Sequence, residues 1–336
     1  MKNINPIKLS ANENYYGCSP KALEAIQNKH KNVHLYPEVN PIALKEKLAE
    51  NFNILSKNII VGGGSVRIID GLIQTFVGPD EEVLTFEKSF IAYGQLSGFH
   101  QRKCIFAPLT DLRCVPENLI SFINDKTRLI FIANPNNPTG TVISHIELEK
   151  FLSKISDKIV VAIDEAYAEY VTDSTFPNSI ELQKKYPNLV ILRSFSKIYG
   201  LAGLRIGYAI MDEYKASKMT EGQIPFSLSY LSSDAAIAAL NDTEFVHKST
   251  KENTIQRDFL YRELKKLGYN TIPSQANFIY LWFNNDEEKK KVFDILFQNG
   301  IIICDMKIFG QEKSLRITIG SKEVCEQIIN CLADNK

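Results

Sequence analysis

The chain has 336 residues, 44% of them apolar and 23% charged, and its 39 basic residues balance its 39 acidic ones. That length exceeds what one core ordinarily supports, so two domains in close contact are expected. Balanced charge without a basic run gives no footprint for nucleic acid, and the longest apolar runs, such as 129–133, fall far short of a membrane span.

Residues 1–14 contain no apolar stretch of the signal-peptide kind, so a cytoplasmic protein is expected. Ser19-Pro20 reads as an N-cap with proline at the first helical position, opening a helix over 20–28. From there, short apolar runs alternate with amphipathic stretches. Strands are predicted at 58–61, 82–86, 128–133, 159–163, 189–193 and 206–210. They are β-branched and nearly continuous in hydrophobicity, as strands buried on both faces are. Between them, 65–76 spaces Val66, Ile69, Leu72, Ile73 and Phe76 as a helix does, and 144–153 opens on a Ser144/Glu147 capping box.

This alternation predicts an α/β fold with a mostly parallel sheet flanked by helices. The last hundred residues differ. A long helix over 243–267 precedes an apolar run at 277–283, a helix near 286–298, a run at 301–303, a strand at 314–320 and a terminal helix at 321–333. That order suits a smaller α+β domain. The division is a large domain at 30–235, with 1–29 and 236–336 forming the small one and residues 20–28 packing with the C-terminal part. No linker sharpens the boundary near 230–240.

Four segments carry chemistry, each at a predicted strand's C-terminal end, where ligands bind in open α/β folds. After Arg193, Lys197 is flanked by Ser194, Ser196 and a glycine-rich run to Arg205. A lysine attacks carbonyls only as the free amine, which partial burial beside cations favours. Alone, such a lysine is usually a surface residue. Asp164 ends an apolar strand before Glu165, Ala166 and Tyr167. It suits an ion pair with a heterocyclic nitrogen, although a helix cap is its commoner use. In 134–140, two prolines and Gly140 fix a turn that aims Asn137 inward. The glycines 62–64 before Ser65 allow backbone N–H groups to approach a phosphate. Cys18, Cys104, Cys114, Cys304, Cys325 and Cys331 form no C-x-x-C pair and do not cluster with the histidines, so no metal site is expected.

Together these strings resemble the fold-type I pyridoxal-phosphate aminotransferases, and within them the histidinol-phosphate aminotransferase group. The matches are LSANEN (9–14), LYPE (35–38), NPNNPTG (134–140), DEAY (164–167), RSFSK (193–197), GLAGLRIGY (200–208), PSQANF (273–278) and LRITIG (315–320). The resemblance implies pyridoxal 5'-phosphate held by Lys197 as a Schiff base, with Asp164 on the pyridine nitrogen and Asn137 and Tyr167 on the ring's 3-oxygen. Lys197, Asp164 and Tyr167 would be the catalytic set. Phe90 would cover the ring, and the backbone around Gly64, Ser65 and Val66, with Ser194, Ser196 and Arg205, would bind the phosphate. Tyr36 would reach the neighbouring subunit's cofactor in a homodimer. Arg316 would clamp a substrate carboxylate in bidentate fashion, with Asn12 as a second substrate contact.

The implied reaction moves an amino group between glutamate or 2-oxoglutarate and a phosphorylated keto or aldehyde compound, histidinol phosphate leading. Two alternatives share the scaffold: a decarboxylase of a phosphorylated amino acid, of the threonine-phosphate type, and a non-catalytic binding protein. Three departures bear on the substrate. The phosphate loop reads Ser65-Val66-Arg67 where the group has an acidic pair, no proline opens the segment before Phe90, and Cys304 stands where the group has an arginine. Losing a charged hydrogen bond to a phosphate costs on the order of 1.5–3 kcal/mol. Arg67, Lys307 and Lys313 are the candidates to compensate.

Overall fold

A computed structural model describes residues 6–335. Strand β1 (Ile7–Leu9) leads into helices α1 (Pro20–Lys29) and α2 (Ile42–Phe52). An alternating stretch follows: β2 (Ile59–Gly62), α3 (Ser65–Phe76), β3 (Glu82–Phe86), α4 (Ala92–Phe99), β4 (Lys103–Ala107), the single turn α5 (Glu117–Ile120), β5 (Thr127–Ala133), α6 (His145–Leu152), β6 (Val160–Asp164), α7 (Ser179–Lys185) and β7 (Leu189–Ser194). After β8 (Gly207–Ile210) come α8 (Glu213–Glu221), α9 (Tyr230–Leu240) and α10 (Thr243–Lys266). The chain ends with β9 (Asn270–Thr271), β10 (Phe278–Trp282), α11 (Asp286–Gln298), β11 (Ile301–Asp305), β12 (Ser314–Thr318) and α12 (Lys322–Ala333). None of these helices is long and apolar enough to cross a membrane.

Seven strands form one sheet in the order β2-β8-β7-β6-β5-β3-β4. All its pairings are parallel except those of β8, which runs against both β2 and β7. Helices cover both faces, and the strands are apolar on both sides for that reason. In β5, Ile130 and Ile132 enter the cluster on one face while Leu129, Phe131 and Ala133 enter the other. Helix α3 buries Ile68, Ile69, Leu72 and Ile73 in the second cluster. The capping box predicted at Ser144 forms, with both of its reciprocal bonds.

A second sheet, β1-β11-β12-β10-β9, is antiparallel apart from β1 on β11. Its core takes in Leu260 and Leu264 of α10, Val292 and Leu296 of α11, and Ile328 of α12. The earlier turns of α10 bury polar side chains instead. Thr250 Oγ1 donates to the Glu169 carbonyl (2.9 Å), and Arg257 Nη1 donates to the Tyr170 carbonyl (3.4 Å). One helix thus serves both sheets.

Helix α1 lies on α9, which spans the predicted boundary, and Ala22 joins the cluster holding Ala235, Ala236 and Ala239. Small residues permit this close approach, and both ends are clipped. Lys21 Nζ donates to the Asn241 carbonyl (2.8 Å), and the Tyr230 hydroxyl donates to the Lys29 carbonyl (2.8 Å). The parallel sheet also gains β4, which the sequence reading omits. β4 is an edge strand with Lys103 and Phe106 exposed, and its apolar run, Cys104 to Ala107, is short and stops at Pro108.

Candidate active site

The C-terminal ends of β2, β5, β6 and β7 open onto a cavity of about 640 Å³ that is closed on its other side by β11 and β12. Every site residue that the resemblance implies lines it except Gly64 and Tyr36. Lys197, Arg205 and Arg316 are its only cationic side chains among the described residues.

Asp164 ends β6 and is buried. Its Oδ2 accepts from the Tyr93 hydroxyl (2.9 Å), and its Oδ1 accepts from the Ala166 amide (3.2 Å). Burial lifts its carboxyl to about 6, while those two donors pull it back. Lys197 follows β7 in the loop 195–206. Burial lowers its amine to about 7, helped by the guanidinium groups of Arg316 and Arg205. Its Nζ donates to the Ala11 carbonyl at 3.0 Å and lies 5.6 Å from the centroid of the Tyr167 ring. A nearly neutral amine beside a buried acid suits covalent attachment of an aldehyde and proton transfer at neutral pH.

At one end of the cavity, Ser65 opens α3, so first-turn N–H groups without intrahelical partners face it. Ser194, Ser196 and Arg205 complete an anion cradle, with Arg205 Nη1 donating to Ser196 Oγ (3.4 Å) and to the Ala202 carbonyl (2.9 Å). Gly64 sits behind it at φ +85°. A Cβ there would come within 2.5 Å of Arg205 Nη2, so only glycine lets the guanidinium reach its place. Arg67 turns away, bonding Asp70 in its own helix and lining a neighbouring cleft. The apparent charge reversal in the loop therefore does not enter the cavity.

At the other end, Arg316 lies between the rings of Phe278 and Phe309, 5.5 and 5.8 Å from their centroids. Its Nη1 donates to Asn137 Oδ1 (2.6 Å) and its Nη2 to the Ser10 carbonyl (3.0 Å), while its buried Nε has no partner. Asn137 is presented by a loop pinned through Asn136, whose Nδ2 donates to the Lys88 carbonyl (2.9 Å), and through Asn134. Cys304 faces Arg316 across β11 and β12, and burial raises its thiol, so that place holds no cation. Neither Lys307 nor Lys313 lines the cavity, and Lys313 bonds the Asn284 carbonyl. None of the three candidate compensating cations is in position.

Phe90 lines the cavity edge-on to Tyr93, with ring centroids 5.6 Å apart. Tyr36 is 84% exposed and lies in a separate surface cleft beside Phe226. Asn12 borders the cavity, but its amide is spent on Tyr167 and Thr318. Sequence reasoning missed Tyr93. Its position three residues after Phe90, one helical turn on, is the available signal. It also missed the carbonyls of Ser10 and Ala11, which no side-chain pattern announces.

Residues 4–332 match the family model for aminotransferase class I and II. The chain is 36% identical over 329 residues to a histidinol-phosphate aminotransferase of Moorella thermoacetica, covering 98% of this chain and 85% of that one. It is 38% identical over 328 residues to histidinol-phosphate aminotransferase 1 of Mannheimia succiniciproducens, covering 98% and 89%. Among solved structures, the histidinol-phosphate aminotransferase from Sinorhizobium meliloti in complex with pyridoxal-5'-phosphate superposes with a TM-score of 0.91 at 25% identity, over 98% of this chain and 90% of that one. The anion cradle, the amine and the buried acid thus sit in a chain that belongs to the class I and II aminotransferases, the pyridoxal-phosphate-dependent transaminases of fold type I.

Proposed function

We propose that this transaminase exchanges an amino group between glutamate and a small phosphorylated keto compound, with histidinol phosphate and imidazole acetol phosphate as the pair. Arg316 carries the reading. It is the one guanidinium on the substrate side, it is held rigid between two rings, and it keeps a buried donor unpartnered. A buried donor left unmade costs roughly 1–3 kcal/mol, which an anionic ligand recovers. Glutamate offers a carboxylate, and histidinol phosphate, which has no carboxylate, offers its phosphate. One arginine serves both in turn. The relatives bearing that name support the choice.

The residues present fit pyridoxal phosphate. Arg205, Ser194, Ser196 and the amides opening α3 would hold its phosphate, Asp164 would face the ring nitrogen, Asn137 and Tyr167 would face the 3-oxygen, and Phe90 would cover the ring. When bound, the cofactor supplies an aldehyde that links to amines and a protonated ring that withdraws electrons from the substrate's α-carbon. Arg316 orients the substrate by its anion. Lys197 Nζ, neutral above about pH 7, takes a proton and returns it within the cavity. Asp164 keeps the ring nitrogen charged.

Glutamate added to the holoenzyme should convert the aldehyde absorbance to that of the amine form. Among keto and aldehyde phosphates, imidazole acetol phosphate should restore the original spectrum fastest. Carbon dioxide release from a phosphorylated amino acid, with no such conversion by glutamate, would favour the decarboxylase instead.

The same reading divides the chain at 30–235 against 1–29 with 236–336. It also makes the protein a homodimer in which Tyr36 reaches the neighbouring site. The exposed Tyr36, with Val33 67% and Phe226 47% exposed around the same cleft, supports this. Sedimentation of the holoenzyme as a monomer would contradict the dimer.

A further inference from the structure

Three consecutive residues of the N-terminal segment each bond a different member of the site. The Ser10 carbonyl accepts from Arg316 Nη2, the Ala11 carbonyl accepts from Lys197 Nζ, and Asn12 Nδ2 donates to the Tyr167 hydroxyl oxygen, each at 3.0 Å. The segment is a strap across the cavity. Asn12 is its anchor, 1% exposed and at φ +55°, a left-handed backbone that asparagine tolerates better than most residues. Its own N–H donates to Thr318 Oγ1 (3.0 Å), and its carbonyl accepts from Asn277 Nδ2 (3.1 Å).

The orientation of the Asn12 amide follows from donor bookkeeping. Thr318 Oγ1 already accepts the Asn12 N–H, and its single proton points to Asn12 Oδ1 at 3.3 Å. Reversing the amide would place an N–H group against Thr318 and strand that buried proton. Nδ2 therefore faces Tyr167. A phenol oxygen that receives this donor must aim its own proton elsewhere, and the open direction is the cavity.

We propose that Asn12 is a positioning residue that directs the Tyr167 hydroxyl proton toward the cofactor's ring oxygen, and that Thr318 fixes Asn12 in the orientation this requires. Thr318 lies two residues beyond Arg316 on β12, so the strand that holds the substrate anion also sets the phenol. The inference rests on the reading of Tyr167 as the partner of that ring oxygen.

The test is a pH titration of the bound-cofactor absorbance in reconstituted N12G, Y167F and N12G/Y167F proteins, with the cofactor dissociation constant measured alongside. Glycine keeps the left-handed backbone and removes only the amide. N12G should shift the apparent pKa of the absorbance in the same direction as Y167F, by at least about half a unit. It should also weaken cofactor binding roughly three- to tenfold, and the double variant should match Y167F alone. A wild-type titration for N12G beside a shifted Y167F overturns the proposal, as does a double variant in which the two shifts add. A silent Y167F instead overturns the underlying reading of Tyr167. Should N12G not fold, N12D decides by the same comparison, because its carboxylate keeps the shape and can only accept from the phenol.

Discussion

Lys197→Ala should lower the rate at which glutamate changes the bound-cofactor absorbance by about 10³-fold or more, leaving the melting transition of the protein intact. In the proposed function the amine both links the aldehyde and moves the proton, and the loss of a positioned base alone costs about 10²–10⁴-fold. No other amine lines the cavity to substitute for it, and the guanidinium groups of Arg205 and Arg316 offer donors without an acceptor. Borohydride should fix cofactor to the wild-type chain and not to the variant. The pH dependence has a definite sign. Burial lowers the amine to about 7, so the apo protein should capture cofactor at a constant rate above that value. Below it, the rate should fall about tenfold per pH unit as the amine protonates. A capture rate that stays flat through pH 7 would contradict the assignment.

Asp164→Asn should separate stability from activity. Burial raises the Asp164 carboxyl to about 6, above the ordinary carboxylate value of about 4. Between those values the folded chain binds a proton that the unfolded chain does not. The contribution of this group is therefore fully present below about pH 4 and is lost as pH rises through about 6. Near neutrality the buried charge costs up to about 3 kcal/mol. Asparagine removes the charge but leaves either the Tyr93 hydroxyl or the Ala166 amide without its acceptor, a loss of about 1 kcal/mol. The apo variant should then be more stable than wild type by roughly 1–2 kcal/mol at pH 8, a few degrees in melting temperature for a chain of this size. The advantage should vanish toward pH 5. Glutamate-driven conversion should meanwhile drop at least about 10²-fold, because the ring nitrogen has lost its counter-charge. Equal melting temperatures for the two apo proteins at pH 8, or undiminished turnover, would refute this account. Sites that store such a cost are those where function opposes stability.

What the sequence revealed followed physical type. Central strands announce themselves through continuous apolar runs, and 82–86 is predicted to the residue. The edge strand β4 was missed although Cys104 to Ala107 is apolar, because the run is short and half exposed. Helix α10 was legible because it is long. Helix α8 was not, since it buries only Ala216 and Met219. In the site, charged and amide side chains at strand ends were readable because their chemistry is unusual there. Where a side chain turns was not readable. Arg67 and Lys313 look available in one dimension and are committed elsewhere in three. Backbone carbonyls such as that of Ala11 carry no signature at all. Asn12 borders the cavity as expected, but that its amide bonds Tyr167 and Thr318 is a pairing only three dimensions reveal.

The single reversed strand in the main sheet has a consequence for how the site is built. Had β8 run with its neighbours, the chain leaving Ser194 would have needed a return crossover of a dozen or more residues along the whole sheet, ordinarily through a helix. Reversal removes that journey. Residues 195–206 stay at one rim, so the chain can place its amine and its cradle guanidinium on the same short excursion. The start of β8 is also pressed against the end of β2 so tightly that a Cβ on Gly207 would lie 2.3 Å from the Ser65 nitrogen. The proposed attachment point and phosphate seat are thereby fixed to one another by topology, and neither can drift without the other.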